Sequence, residues 1–152
     1  MFSITLNKIP KMQNRMDCLF CNVVQGKQSA HVIYEDKTHL AIMDKYPIQY
    51  GHALVMPKEH HERIIDMPIE GVSALFSRVP LVARSILAAT GADGFNIGQN
   101  NGRAANQIIP HVHVHIIPRY IDTGNPWTKR MIATDTELKE LALKIKNFIK
   151  SG

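Results

Sequence analysis

The stretch His111-Val112-His113-Val114-His115-Ile116-Ile117 decides how this chain is read. Its alternation is that of a β-strand, in which successive side chains point to opposite faces. Three imidazoles then line one face at intervals of about 6.6 Å, while Val112, Val114 and Ile116 line the other, buried one. A core strand has no structural use for three histidines in a row, because core histidines are usually single and held by one partner. A zinc site is one use for such a row, since alternate histidines on a strand can ligate one ion.

Outward from this strand the pattern is consistent. Upstream, Phe95-Asn96-Ile97 reads as a short strand opening into a glycine- and asparagine-containing loop, residues 98–106. Such a loop can bring backbone N–H groups close to an anion, although an ordinary connection has the same composition. Downstream, Pro118 marks the expected end of the histidine strand. Further upstream, Val32-Ile33-Tyr34-Glu35 and Leu40-Ala41-Ile42-Met43 flank Asp36-Lys37-Thr38 as a hairpin, and Ala53-Leu54-Val55-Met56 is a third strand. Residues 69–90 change to a three-and-four spacing, the mark of a helix, with Gly91 suited to cap it and Pro80 expected to kink it. Thr134 and Glu137 form a capping box ahead of an amphipathic terminal helix carrying Leu138, Leu141, Ala142, Ile145 and Phe148. Strands and helices are segregated, so the fold class is α+β with an antiparallel sheet.

The chain has 152 residues, the size of one domain. Residues 1–16 read as a flexible tail and residues 17–152 as a single domain. The net charge of +5 suggests nucleic-acid binding until it is located. Residues 1–15 carry Lys8, Lys11 and Arg15 with no acid, residues 129–152 carry six basic and three acidic side chains, and the remainder is nearly neutral. No basic cleft crosses the core, and specific nucleic-acid binding is not expected. No apolar run reaches the roughly 20 residues of a membrane span and no secretory signal is apparent, so the expected location is cytoplasmic. In a reducing compartment the Cys18-x-x-Cys21 pair points to metal binding or redox chemistry rather than a structural disulfide.

With these residues in view, the sequence resembles the histidine triad (HIT) family of nucleotide hydrolases and transferases. The three alternating histidines carry the resemblance. Cys18-Leu19-Phe20-Cys21, Tyr34-Glu35-Asp36, Leu40 to Asp44, Gly51 to Val55, Pro57-Lys58-Glu59-His60 and Asn101-Gly102 extend it over residues 18–127. The resemblance implies a HIT domain that works as a homodimer, with the kinked helix contributing to the interface. It implies a purine nucleotide substrate, cleaved at the α-phosphate through a nucleotidyl-histidine intermediate. By position His113 is the nucleophile, turned by the carbonyl of His111, and His115 and His52 serve the phosphate and leaving-group oxygens. Asn100 and Gln107 match phosphate-holding amides and Asp44 the acid that accepts from ribose hydroxyls. Leu19, Phe20, Val23 and Ile42 match the apolar walls around the base, although on their own they are core residues.

Zinc-containing members of the family use residues corresponding to Cys18, Cys21, His60 and His111, which implies a closed, structural Zn²⁺ site. Two free, reduced cysteines are the alternative. Asn106 replaces a small glycine common in the family, and Ile108 stands where the phosphoramidase branch carries serine. These departures leave the substrate open among dinucleoside polyphosphates, nucleoside phosphoramidates and adenylates. A nucleotidyltransferase or phosphorylase, or a nucleotide-binding interaction protein with incidental turnover, are the competing readings.

Overall fold

The apolar runs pair as consecutive strands before the chain crosses over. A computed structural model describes residues 18–151 except 125 and 128, so the expected tail at residues 1–16 lies outside the described residues. A short helix, α1 (Leu19–Val24), which periodicity did not reveal, opens the described chain. β1 (Val32–Glu35) and β2 (His39–Met43) form the expected hairpin. Asp36 closes it by accepting from the backbone N–H groups of Thr38 and His39 at 2.8 and 2.7 Å. β3 (Ala53–Pro57), β4 (Gly94–Gly98) and β5 (Val114–Arg119) complete an antiparallel sheet in the order β1-β2-β3-β5-β4. The fold is α+β, as the segregation of strands and helices implied.

β5 begins later and runs further than the sequence suggested. Residues 111–113 lead into it, and Pro118, read as its end, lies within it opposite Phe95. The reason is local. β3 pairs only with Val114–Ile116, so beside Pro118 the strand has a neighbour on one side alone, a position that tolerates a missing N–H.

α2 (Ile69–Thr90) buries Leu75, Val79, Val82, Ala83, Ile86 and Ala89, and stays helical on both sides of Pro80. Gly91 stops it in the left-handed region at φ 69°, where a side chain would be strained. By length and composition alone α2 could cross a membrane, but its apolar side packs into the core instead. In the capping box ahead of α3 (Asp135–Ser151), Thr134 N–H donates to Glu137 Oε2 at 2.8 Å and Glu137 N–H donates to Thr134 Oγ1 at 3.2 Å. Both long helices cover one face of the sheet, burying Ala41, Val55, Val114 and Ile116. The opposite face gathers Leu40, Ile42, Leu54 and Met56 beneath Phe20 and the two cysteines. His115 pairs with Leu54 across β3 and so projects from this second face, and by alternation His113, Ile117 and Arg119 project with it. The first cluster carries the fold and the second forms the floor of a site.

Candidate functional site

All three histidines of the motif are buried, and hydrogen bonds assign their tautomers, to the backbone for His111 and His113 and through His52 for His115. His113 Nδ1–H donates to the carbonyl of His111 at 2.7 Å, which leaves the Nε2 lone pair free to face the site. The N–H of Ile48 donates to His52 Nδ1 at 2.9 Å, so neutral His52 carries its proton on Nε2. That proton is donated to His115 Nδ1, also at 2.9 Å. Neutral His115 therefore holds its own proton on Nε2. The ring centroids of His113 and His115 lie 4.9 Å apart, an imidazole lone pair beside an N–H donor. Phe20 packs edge-on against His113, with centroids 5.0 Å apart, and fixes the ring from the α1 side.

The fourth tautomer concerns a different chemistry. His111 Nε2–H donates to the carbonyl of Pro57 at 2.8 Å, which turns the Nδ1 lone pair toward the cysteines. Cys18 Sγ and Cys21 Sγ each lie 3.6 Å from that nitrogen, and Cys21 Sγ lies 3.2 Å from His60 Nδ1. All four donor atoms fall within 4.8 Å of one another. Two sulfurs and two nitrogens around a tetrahedral ion with zinc-length bonds would sit about 3.3–3.8 Å apart, so the group has roughly the dimensions of a metal site. His60, rather than its neighbour His61, is the histidine that turns inward. His61 lies beside Glu59 at 3.5 Å. Asp44, His52 and His115 also converge, but there the two ring nitrogens that face each other already share a proton.

Asp44 stands at the end of β2, within 3.5 Å of His52 Nε2. Its Oδ1 accepts from the Tyr46 N–H at 2.8 Å and its Oδ2 from Arg130 Nη1 at 2.9 Å. Arg130 also donates to the carbonyl of Tyr46 at 2.7 Å. No motif or period points to Arg130, which lies in an aperiodic connection and reaches Asp44 across 86 positions. Phe20 and Ile42 are buried in the apolar floor and Val23 packs against it, whereas Leu19 is 41% exposed and lies outside that cluster. Gln107 is buried, and its amide closes the loop. Its Oε1 accepts from Gly102 N–H at 2.6 Å, and its Nε2 donates to the carbonyls of Glu62 and Ile109 at 2.6 and 3.2 Å. Asn100 makes a longer contact, 3.4 Å, to the carbonyl of Asn106. A phosphate role for Gln107 therefore requires exchange of one of its present bonds.

Burial sets the electrostatics. It lowers the pKa of His113, opposed by the bond to the His111 carbonyl and the Asp44 charge. It pushes His115 down to about 3, with help from His113 and Arg130, and lowers His52 still further, with help from His115. Burial raises the Asp44 carboxyl against the opposing bonds from Tyr46 and Arg130. The His52–His115 pair is thus neutral at neutral pH, and folding stability depends on that. An unfolded histidine takes up a proton near pH 6.5, whereas folded His115 does so only near 3, so its contribution is complete above 6.5 and is lost as pH falls between these values. By pH 5 the loss from one such histidine is about 2 kcal/mol. Denaturant unfolding at pH 7, 6 and 5 should give a shallower slope of stability against pH for His115→Asn than for the unmodified chain. Equal slopes would contradict this.

Comparison with known proteins agrees with the geometry. The HIT domain family model matches residues 25–122. Adenylylsulfatase HINT3 of Arabidopsis thaliana is 42% identical over 112 residues, which is 74% of this chain but only 57% of that protein. This chain thus spans little more than half of that longer relative. Adenosine 5'-monophosphoramidase hnt1 of Schizosaccharomyces pombe is 36% identical over 138 residues, covering 89% of this chain and all of that one. Among solved structures, a zinc-bound histidine triad family protein from Mycobacterium smegmatis superposes with a TM-score of 0.79 at 33% identity, covering 91% of this chain and 96% of that chain.

Proposed function

The chain belongs to the HIT domain family, and from that premise we propose that it is a nucleotide hydrolase that cleaves purine nucleotide conjugates at the α-phosphate through a nucleotidyl-histidine. The observation that carries this reading is the pair of complementary tautomers, an Nε2 lone pair on His113 beside an Nε2–H on His115. The lone pair of His113 attacks phosphorus, and the bond to the leaving group breaks with its electron pair on the leaving atom. His115 donates a hydrogen bond to the oxygen where charge grows. It has no spare proton to give, because its Nδ1 is filled by the proton of His52. Leaving groups that depart as stable anions need none, and an amine must bring its own. In the second half, water adds to phosphorus and gives up a proton, first to a phosphate oxygen and then to solvent, while the P–N bond breaks and its electron pair returns to His113.

The apolar floor of Phe20, Ile42 and Val23 supports a base-binding role, and Asp44 a role toward ribose hydroxyls once Arg130 has exchanged off its Oδ2. Asn100 and Gln107 remain the candidates for phosphate oxygens. The donor spacing and the His111–Pro57 bond support a Zn²⁺ ion held by Cys18, Cys21, His60 and His111 in a structural role. The chain is further read as a homodimer. β4 is an edge strand, and its Phe95 and Ile97 leave apolar surface exposed on the helix-covered face of the sheet.

Incubation with adenosine 5'-phosphoramidate, adenosine 5'-phosphosulfate and diadenosine tetraphosphate, with products separated by chromatography, tests the reading. AMP is expected from at least one of them. Release of ADP only when inorganic phosphate is present would instead make the protein a phosphorylase. Binding without any product would leave a nucleotide-binding interaction protein.

A further inference from the structure

The sheet face that carries the histidines also carries a cation that the proposed reaction has not used. Arg119 is the last residue of β5 and projects from the same face as His113 and His115. Its Nε–H donates to Asn96 Oδ1 at 2.7 Å. Asn96 pairs with Ile117, two positions back along the strand, so the side chain folds back toward His115 rather than out past the strand end. Trp127 holds it there. The Trp127 ring lies 5.3 Å from the guanidinium carbon, and a ring carbon comes within 3.1 Å of where a Cβ on Gly98 would stand. Gly98 in turn pairs with His115. The guanidinium is therefore boxed between Asn96 and Trp127 on the β4 side of the catalytic histidines. Its positive charge is close enough to His52 to be among the groups that lower that imidazole's pKa.

Nη1 and Nη2 of Arg119 are the buried side-chain nitrogen or oxygen atoms that lack a hydrogen-bond partner among the described residues. Burial of a cation with unfilled donors is strongly unfavourable, and a planar fork of this kind matches a tetrahedral oxyanion with two parallel bonds. Across the sheet, the apolar floor over β2 and β3 suits the base, and the histidines of β5 suit the α-phosphate. What lies beyond, toward β4, is where a leaving group must go.

We infer that Arg119 binds the leaving group, and that the preferred substrates carry a tetrahedral oxyanion there, a sulfate or a further phosphoryl group. The inference rests on the hydrolase reading and deepens it. It also fits a His115 with no proton to spare, since an oxyanion stabilised by a guanidinium departs without one.

The test compares kcat/KM for three substrates: the phosphosulfate, diadenosine tetraphosphate and the uncharged-leaving-group phosphoramidate. In Arg119→Gln the ratio of either oxyanion substrate to the phosphoramidate should fall at least tenfold, and Arg119→Lys should recover part of it by restoring charge without the fork. A fall with the phosphosulfate alone assigns the site to sulfate, and a fall with the tetraphosphate alone to phosphoryl groups. Unchanged ratios, including a uniform loss on all three or a loss that tracks a change in oligomeric state, would overturn the inference and make Arg119 a structural residue. Should Arg119→Gln fail to fold, the Lys variant decides by the same ratios. If the unmodified chain releases no nucleotide from any of the three, the hydrolase reading fails and takes this inference with it.

Discussion

His113→Ala should abolish turnover, by a factor of about 10³ or more, while nucleotide affinity changes only severalfold. As the proposed nucleophile, His113 has no understudy among the described residues of this site. The Nδ1 of His115 is filled by the His52 proton and its Nε2 carries a proton, so neither nitrogen offers a lone pair to phosphorus. His111 presents its lone pair to the cysteines, away from the cleft. Direct attack by water would lose the positioned covalent route, and no free carboxylate stands ready as a base, since Asp44 is engaged by Tyr46 and Arg130. Binding should survive, because the apolar floor and Asp44 belong to other elements. The substitution leaves a cavity against Phe20, so its folding is checked by thermal melting before rates are compared. Steady-state rates, a titration with AMP, and acid-quenched mass spectrometry of the unmodified chain for a nucleotidyl adduct on His113 together decide the matter. A well-folded variant with near-normal rates would remove His113 from the chemistry.

Much of this was legible in the sequence because it follows from periodicity. The sheet strands appear as apolar runs, α2 as a three-and-four repeat with its glycine stop, and the head of α3 as a threonine–glutamate pair. Each depends on neighbours in the chain. Arg130 and Arg119 were not legible, for related reasons. Arg130 meets Asp44 from 86 residues away, out of a connection whose sequence has no period. Arg119 was hidden by Pro118, which reads as a strand end unless it is known that β3 has already stopped beside it. The tautomers were invisible too. They depend on the backbone N–H of Ile48 and the carbonyls of His111 and Pro57, groups every residue has and no composition reveals. The resemblance implies which histidine would attack, and the backbone bond to the His111 carbonyl would leave that histidine the lone pair to do so.

The second large effect is expected at the cysteines. Cys18→Ser should cut bound zinc from about one ion per chain to a small fraction and lower thermal stability by roughly 10 °C, a loss of about 3–5 kcal/mol. The four donors come from residue 18 ahead of α1, α1 itself, the turn after β3, and the segment leading into β5, so a bound ion would tie together chain regions up to 93 positions apart. The unfolded chain can offer the two cysteines as a chelate but not the histidines in place, and the difference in affinity appears as folding stability. The rate per folded molecule should change much less. With four protein ligands no position is open for water, and the catalytic contribution of His111 is its backbone carbonyl, which any substitution retains. His111→Ala should accordingly follow Cys18→Ser in zinc content and melting temperature, with an added loss because the Pro57 carbonyl gives up its partner. Elemental analysis of protein purified without chelator, melting curves, and rates normalised to folded protein give the three readouts. No zinc in the unmodified chain would dismiss the site, and a collapse in rate on chelation of protein that stays folded would turn the ion from a structural one into a catalytic one.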